Sequence, residues 1–236
     1  MATRRDETES EISKRTAQLS RHITHYLDVF EQVHKFTGPS LYFHHKTIQR
    51  LGTLGLPSAA IQDDLFLDYL YATLTAWGLH RMGPQGAKLV SFDTFACSLR
   101  DHGSRLDKFC LLRIESLTAP DVSVLSDSLW AIIEDIQVSA TKSKIVAGSK
   151  TLHHLLPNLV PPIDREHTAE FFLWGNQMQY RQREMFLDVF PRLVALAKNM
   201  VGQVHEYIGR GFNTSLPKIV DNAIMGFMVD NTAQKS

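Results

Sequence analysis

Residues 146–168 read VAGSKTLHHLLPNLVPPIDREHT, and this stretch sets how the rest of the chain is understood. Leu152, Leu155 and Leu156 recur at the three- and four-residue spacing of one helix face, with no alternation of the kind a strand requires. Pro157, Pro161 and Pro162 then fence a rigid turn, because proline fixes its own backbone angle and has no amide to donate. Asp164 follows directly, and aspartate is a residue type whose carboxylate accepts from the free amides of a helix's first turn. The segment is therefore a helix, a stiff turn and a second helix, with Lys150 and Asp164 at the two ends of one short helix and the rigid turn. Gly148 and Ser149 are small enough to let the first helix pack closely against a neighbour.

Outward from this segment the same helical period continues in both directions. One helix is predicted from about Ser10 to Phe36, with Ile12, Leu19, Ile23, Tyr26, Leu27, Phe30 and Val33 on a single stripe and Gly38-Pro39 ending it. A short element carries Leu41 to Leu51. The stretch PSAAIQDDLFLDYLYATLTAWGLHRMGPQG (57–86) starts at a Ser58 cap, ends at Gly83-Pro84 and is apolar nearly all round, as a central buried helix would be. Two helices broken at DHGSR (101–105) occupy Ser91 to Leu117. Another begins near Asp121 and turns Val124, Leu125, Leu129, Ile132, Ile133 and Ile136 inward. A long helix runs from about Tyr180 to Tyr207, and the last opens at a Ser215 cap with Pro217 in its first turn, where a missing amide costs nothing. These readings predict an all-α protein, a single globular domain of about eight to ten helices, with residues 1–10 as a disordered tail.

The chain has 236 residues, 44% of them hydrophobic, and its 25 Lys and Arg balance its 25 Asp and Glu. Bulk charge consequently points to no partner, and contact with nucleic acid would have to come from a local basic face. HHKTIQR (44–50) and YRQREMF (180–186) are the candidates for phosphate contacts. Cys97 and Cys110 fit neither a metal motif nor a disulfide framework and are expected to be reduced core thiols. A polar N-terminus and the lack of a long apolar run predict a cytoplasmic protein without a membrane span. The adjacent pairs His44-His45 and His153-His154 point about 100° apart on a helix, so neither can chelate alone, and no metal or other cofactor is expected.

The pieces GSKTL (148–152) and PPIDREHT (161–168) together resemble the helix-hairpin-helix DNA glycosylase superfamily, in particular its oxidised-guanine glycosylase-like branch. The resemblance implies DNA carrying a damaged or modified base as the substrate. It implies Lys150 as an amine nucleophile able to form a Schiff base at the sugar C1′, and Asp164 as the carboxylate that promotes base departure. Such a pair suits the chemistry, since breaking an N-glycosidic bond builds positive charge on the sugar that a fixed carboxylate stabilises. An enzyme of this kind flips its base out and stacks it on aromatic groups. Trp77, His80 and Arg81 are the expected pocket residues on that ground, and His153, His154, Arg165 and His167 complete the expected substrate contacts. The competing expectation is a non-enzymatic helical protein that binds a protein or nucleic acid, in which Lys150 is a surface or phosphate contact and Asp164 only a cap.

Overall fold

The computed structural model, which describes residues 4–33, 38–80, 82–83 and 86–233, begins with α1 (Arg4–Arg21) and α2 (Ile23–Val33). Most of the segment set apart as a tail is thus helical: Asp6 and Glu7 in the first turn of α1 and Arg21 in its last complement the helix dipole. Arg15 fastens α1 to the body by donating to the carbonyls of Glu170 and Phe171, at 2.9 and 3.3 Å. The chain breaks at His22, and α2 then buries Ile23, Tyr26, Leu27 and Phe30. Val33, expected on the same stripe, is 43% exposed because α2 ends there. The rest of that expected helix, 34–36, lies outside the described residues.

Gly38, at φ +61, turns the chain into α3 (Pro39–Leu54), and a single turn, α4 (Pro57–Ala60), precedes α5 (Asp64–Leu74). The cap of the buried helix is Asp63 and not Ser58, since the Asp63 carboxylate accepts from the Phe66 amide at 2.8 Å and also takes the Arg50 guanidinium. Phe66, Leu67, Leu70 and Leu74 of α5 are fully buried, as the apolar run required. Beyond α5 the chain widens into a π turn, Thr75–Leu79, in which Trp77 leaves helical geometry and Gly78 sits at φ +88. Only glycine adopts that angle without strain, so the kink that delivers Trp77 is written at Gly78. A two-residue hairpin pairs β1 (Met82–Gly83) with β2 (Gly86–Ala87).

The DHGSR break separates α6 (Phe92–Arg100) from α7 (Gly103–Asp107) as the sequence indicates. The cysteines are not core thiols: Cys97 is exposed on the outer side of α6 and Cys110 is half-buried. Next comes α8 (Ala119–Asp135), where Thr118 caps and Asp121 answers from the first turn, so the residue read as the start is the far half of a capping box. Val124, expected inward, is 71% exposed. The longer remaining elements are α9 (Ile145–Leu155), a π turn Arg165–Ala169, α10 (Gln182–Met200), which stops short of the Tyr207 expected for it, and α11 (Leu216–Ala233), whose Ser215 hydroxyl accepts from the Lys218 amide at 3.4 Å.

The described residues are all-helical apart from the small hairpin, with more segments than eight to ten because the long sequence stretches break at their joints. The buried residues form one continuous core drawn from nearly every helix. A satellite cluster of Phe30, Trp77 and Phe212, flanked by Leu41 and Met225, stands apart from that core. No helix among the described residues is long and apolar enough to cross a membrane. The two basic stretches are largely neutralised by their surroundings. His44 is fully buried, Arg50 pairs with Asp63, Arg181 with Glu184 and Arg183 with Asp127.

Candidate active site

Three local devices bring Lys150 and Asp164 together. Gln182 caps the start of α9, its Oε1 accepting from the amides of Lys144 and Ile145 at 2.7 and 3.1 Å. Gly148 lets α9 lie against α8, since a Cβ there would stand 2.8 Å from Ile133 Cγ2. Ser149 then clamps the far end of the proline loop: its Oγ accepts from the Ile163 amide at 3.0 Å, and its proton is shared between the Ile163 and Val146 carbonyls, both at 3.3 Å. Ser149 precedes Lys150 and Ile163 precedes Asp164, so this one buried hydroxyl fixes the register of the amine against the carboxylate.

Both residues line a single cavity of about 40 Å³, with Phe30, Trp77, Pro162, Phe212, Lys218, Asp221 and Met225 as the remaining wall. The Lys150 Nζ lies 3.4 Å from the Trp77 carbonyl oxygen and 5.8 Å from the centre of its ring. Asp164 caps the π turn that follows it. Its Oδ1 accepts from the amides of His167 and Thr168 at 2.7 and 3.3 Å, and its Oδ2 meets His167 Nδ1 at 3.1 Å. Its side chain keeps 20% of its exposure, which leaves it open to the cavity while it caps. Burial works to raise the affinity of Asp164 for a proton, but the His167 hydrogen bond, the charges of His167 and Lys150 and the His167 amide outweigh it. The carboxyl is held well below the usual range and stays ionised. Burial pulls His167 down in turn, yet Asp164 and, further off, Asp221 and Glu166 hold it above the ordinary imidazole value.

The sequence reading missed half of the charged wall. Lys218 and Asp221 are 4% and 5% exposed, joined at 2.6 Å, with Lys218 also donating to Asn222 Oδ1 at 2.7 Å. Asn222 is fixed in that orientation because its own amide donates to Asn213 Oδ1 at 2.7 Å. The Lys218 ammonium stands 4.9 Å from the Trp77 ring centre and 5.7 Å from that of Phe212, so two amines flank one indole. The available signal was a pair of charges three apart in KIVDNAIMGF, on a helix otherwise read only for its Ser215 cap and Pro217.

Other expected contacts stand elsewhere. His153 and His154 are fully buried behind Trp77 and do not line the cavity, so they support the site and do not contact a substrate as the structure stands. His154 Nδ1 donates to the Lys150 carbonyl at 2.8 Å, which leaves its Nε2 to accept from His44 Nδ1 at 2.9 Å, and His44 Nε2 to accept from the Thr214 hydroxyl at 2.9 Å. This directional chain requires neutral rings. Burial drives His44 and His153 well below their ordinary value and His154 to about 4. His153 Nδ1 donates to the Val160 carbonyl at 2.9 Å. His80 is exposed and turns back to the Thr75 carbonyl at 2.8 Å, closing the end of its own helix. Arg165 is exposed and donates to Asn176 at 2.8 Å, while Arg81 lies outside the described residues. His167 is at the site, as Asp164's partner.

Chemically, the cavity offers two ammonium groups, two carboxylates and an aromatic lining. Its present volume takes one or a few waters. Sites for drug-sized ligands run to about 300–1,000 Å³, so a ring enters only if a wall yields. Phe212, the wall residue that lies outside any helix, sits on a turn between Gly211 at φ +50 and the Gly209 amide's bond to Asn213 O. The chain matches no family model, no curated protein and no solved structure.

Proposed function

We propose that the protein is a DNA N-glycosylase-like enzyme that removes a damaged or modified base, built on a helix-hairpin-helix-like arrangement of its helices. The observation that carries this reading is the meeting of the Lys150 amine and the Asp164 carboxylate in one cavity walled by Trp77, Phe30 and Phe212. The ionised Asp164 stabilises the positive charge that develops on the sugar as the base leaves. Lys150 supplies the nucleophile that captures C1′ and goes on to a Schiff base. The indole of Trp77 offers the face on which an extruded base stacks.

The test is borohydride trapping with duplexes carrying 8-oxoguanine and a panel of other modified bases. A covalent adduct and released base are expected from the wild type. No adduct and no release across the panel defeat the reading.

A second reading, a non-enzymatic helical protein that binds a protein or nucleic acid, draws on the fact that three donors satisfy Asp164 as a cap. Comparing the wild type with Asp164→Asn separates the two. The enzyme reading expects base release to vanish while the melting temperature barely moves, because asparagine caps nearly as well. The binding reading expects the same small change in melting temperature and no base release in either form, so release by the wild type decides between them.

A further inference from the structure

The two carboxylates of the cavity are held in opposite ways. Both oxygens of Asp164 are engaged, by two amides and an imidazole, so taking up a proton would break a set of short bonds. Asp221 has only its Oδ2 engaged, by Lys218; among the described residues its Oδ1 has no hydrogen-bond partner, although the residue is 5% exposed and lines the cavity. A carboxylate oxygen without an internal partner, on a residue that lines the cavity, is placed for a ligand or a proton. The groups that face Asp221 are Lys218 and Asn222 on its own helix, Lys150 on α9, and Asp164 and His167 beyond the proline loop.

We propose, resting on the enzyme reading above, that Asp221 is a second catalytic carboxyl and the proton donor to the departing base. Burial and the negative charge of Asp164 raise its affinity for a proton, against the pull of Lys218 and Lys150. Two carboxyl groups whose surroundings drive them apart in this way divide into an ionised stabiliser and an acid. As the C1′–N bond breaks, its electron pair goes to the base and the Asp221 proton goes to the base nitrogen. Lys150, having lost its ammonium proton to water, bonds through the amine to C1′ and releases a further proton to water, from which Asp221 is reprotonated. Lys218, held by Asp221 and Asn222 over the Trp77 ring, is a positioning residue that also sets how firmly Asp221 keeps its proton.

The test compares wild type, Asp221→Asn and Lys218→Gln on two duplexes, one with the best-released base of the panel and one with a preformed abasic site. An abasic site has no base to protonate, so Asp221→Asn is expected to trap it as the wild type does while releasing base about 10²–10⁴-fold more slowly. Wild-type release should fall as pH rises through the titration of Asp221, and the variant should lack that limb. Removing the neighbouring cation in Lys218→Gln should move the limb to higher pH, a change that a purely structural role would not produce. Wild-type release by Asp221→Asn, or equal losses on both duplexes, overturns the assignment. So does a limb that Lys218→Gln leaves in place. A wild type that neither traps nor releases overturns the enzyme reading itself, which is a different result.

Discussion

Gly226→Ala tests the packing that holds the cavity together. Gly226 lies on α11 where that helix crosses α2. A Cβ placed there would overlap the Tyr26 carbonyl oxygen and stand 2.8 Å from the Tyr26 carbonyl carbon and 3.3 Å from the Phe30 amide nitrogen. All three are backbone atoms, so no side chain can rotate aside. Carbon–oxygen contacts between helices settle near about 3.3–3.6 Å, so the pair must part by roughly an ångström or more. Overpacking of this kind costs about 1–3 kcal/mol, with backbone clashes at the upper end. Alanine returns about 1 kcal/mol through its better helix propensity. The net loss is about 2 kcal/mol, a fall in Tm of about 4–8 °C for a chain of this size. Because α2 carries Phe30 and α11 carries Lys218, Asp221 and Met225, the variant should also loosen the cavity wall. Circular dichroism melts and urea titrations of Gly226→Ala and Gly52→Ala make the comparison. Gly52 sits in the last turn of α3 with nothing within 4 Å of a Cβ, and there the same change should stabilise by up to about 1 kcal/mol. Equal behaviour of the two variants would refute the close approach of α2 and α11.

Ser149→Ala removes the acceptor of the buried Ile163 amide, which should cost about 1–3 kcal/mol. If Ser149 sets the register of Asp164, the variant should lose more activity than stability; a loss of stability alone would make the clamp merely structural. His154 is pushed by burial from 6.5 to about 4, so the unfolded chain takes up its proton before the folded one does. Its stabilising effect is therefore complete above pH 6.5 and is lost as pH falls from 6.5 to 4, amounting to about 3 kcal/mol. Urea unfolding of wild type and His154→Gln across that range checks this. The wild type should show the steeper loss, by up to about 1.4 kcal/mol per pH unit, and parallel slopes would contradict it.

The sequence by itself determined the helical character of the chain and several of its local ends. Helical period, the Ser215 cap with Pro217 and the Asp164 cap after the prolines all depend on neighbours within a turn or two, and each of these is present in the fold. The caps misplaced by a few residues, Asp63 for Ser58 and Thr118 for Asp121, mark where several adjacent residues could serve equally well and only the path of the chain selects one. Lys150 and Asp164 could be singled out because only the end of one helix and a proline turn separate them. What the tertiary structure decided was everything that needs a distant partner. His44 and His154 meet across the molecule as neutral rings, against the phosphate contact expected of the stretch that holds His44 and the substrate contact expected of His154. Lys218 and Asp221 looked like the polar side of a terminal helix and are instead sealed beside Trp77. A charge is exposed or buried according to which helices close over it, and that closure is set by contacts such as Gly226 on Tyr26, between residues about two hundred positions apart in a chain of 236.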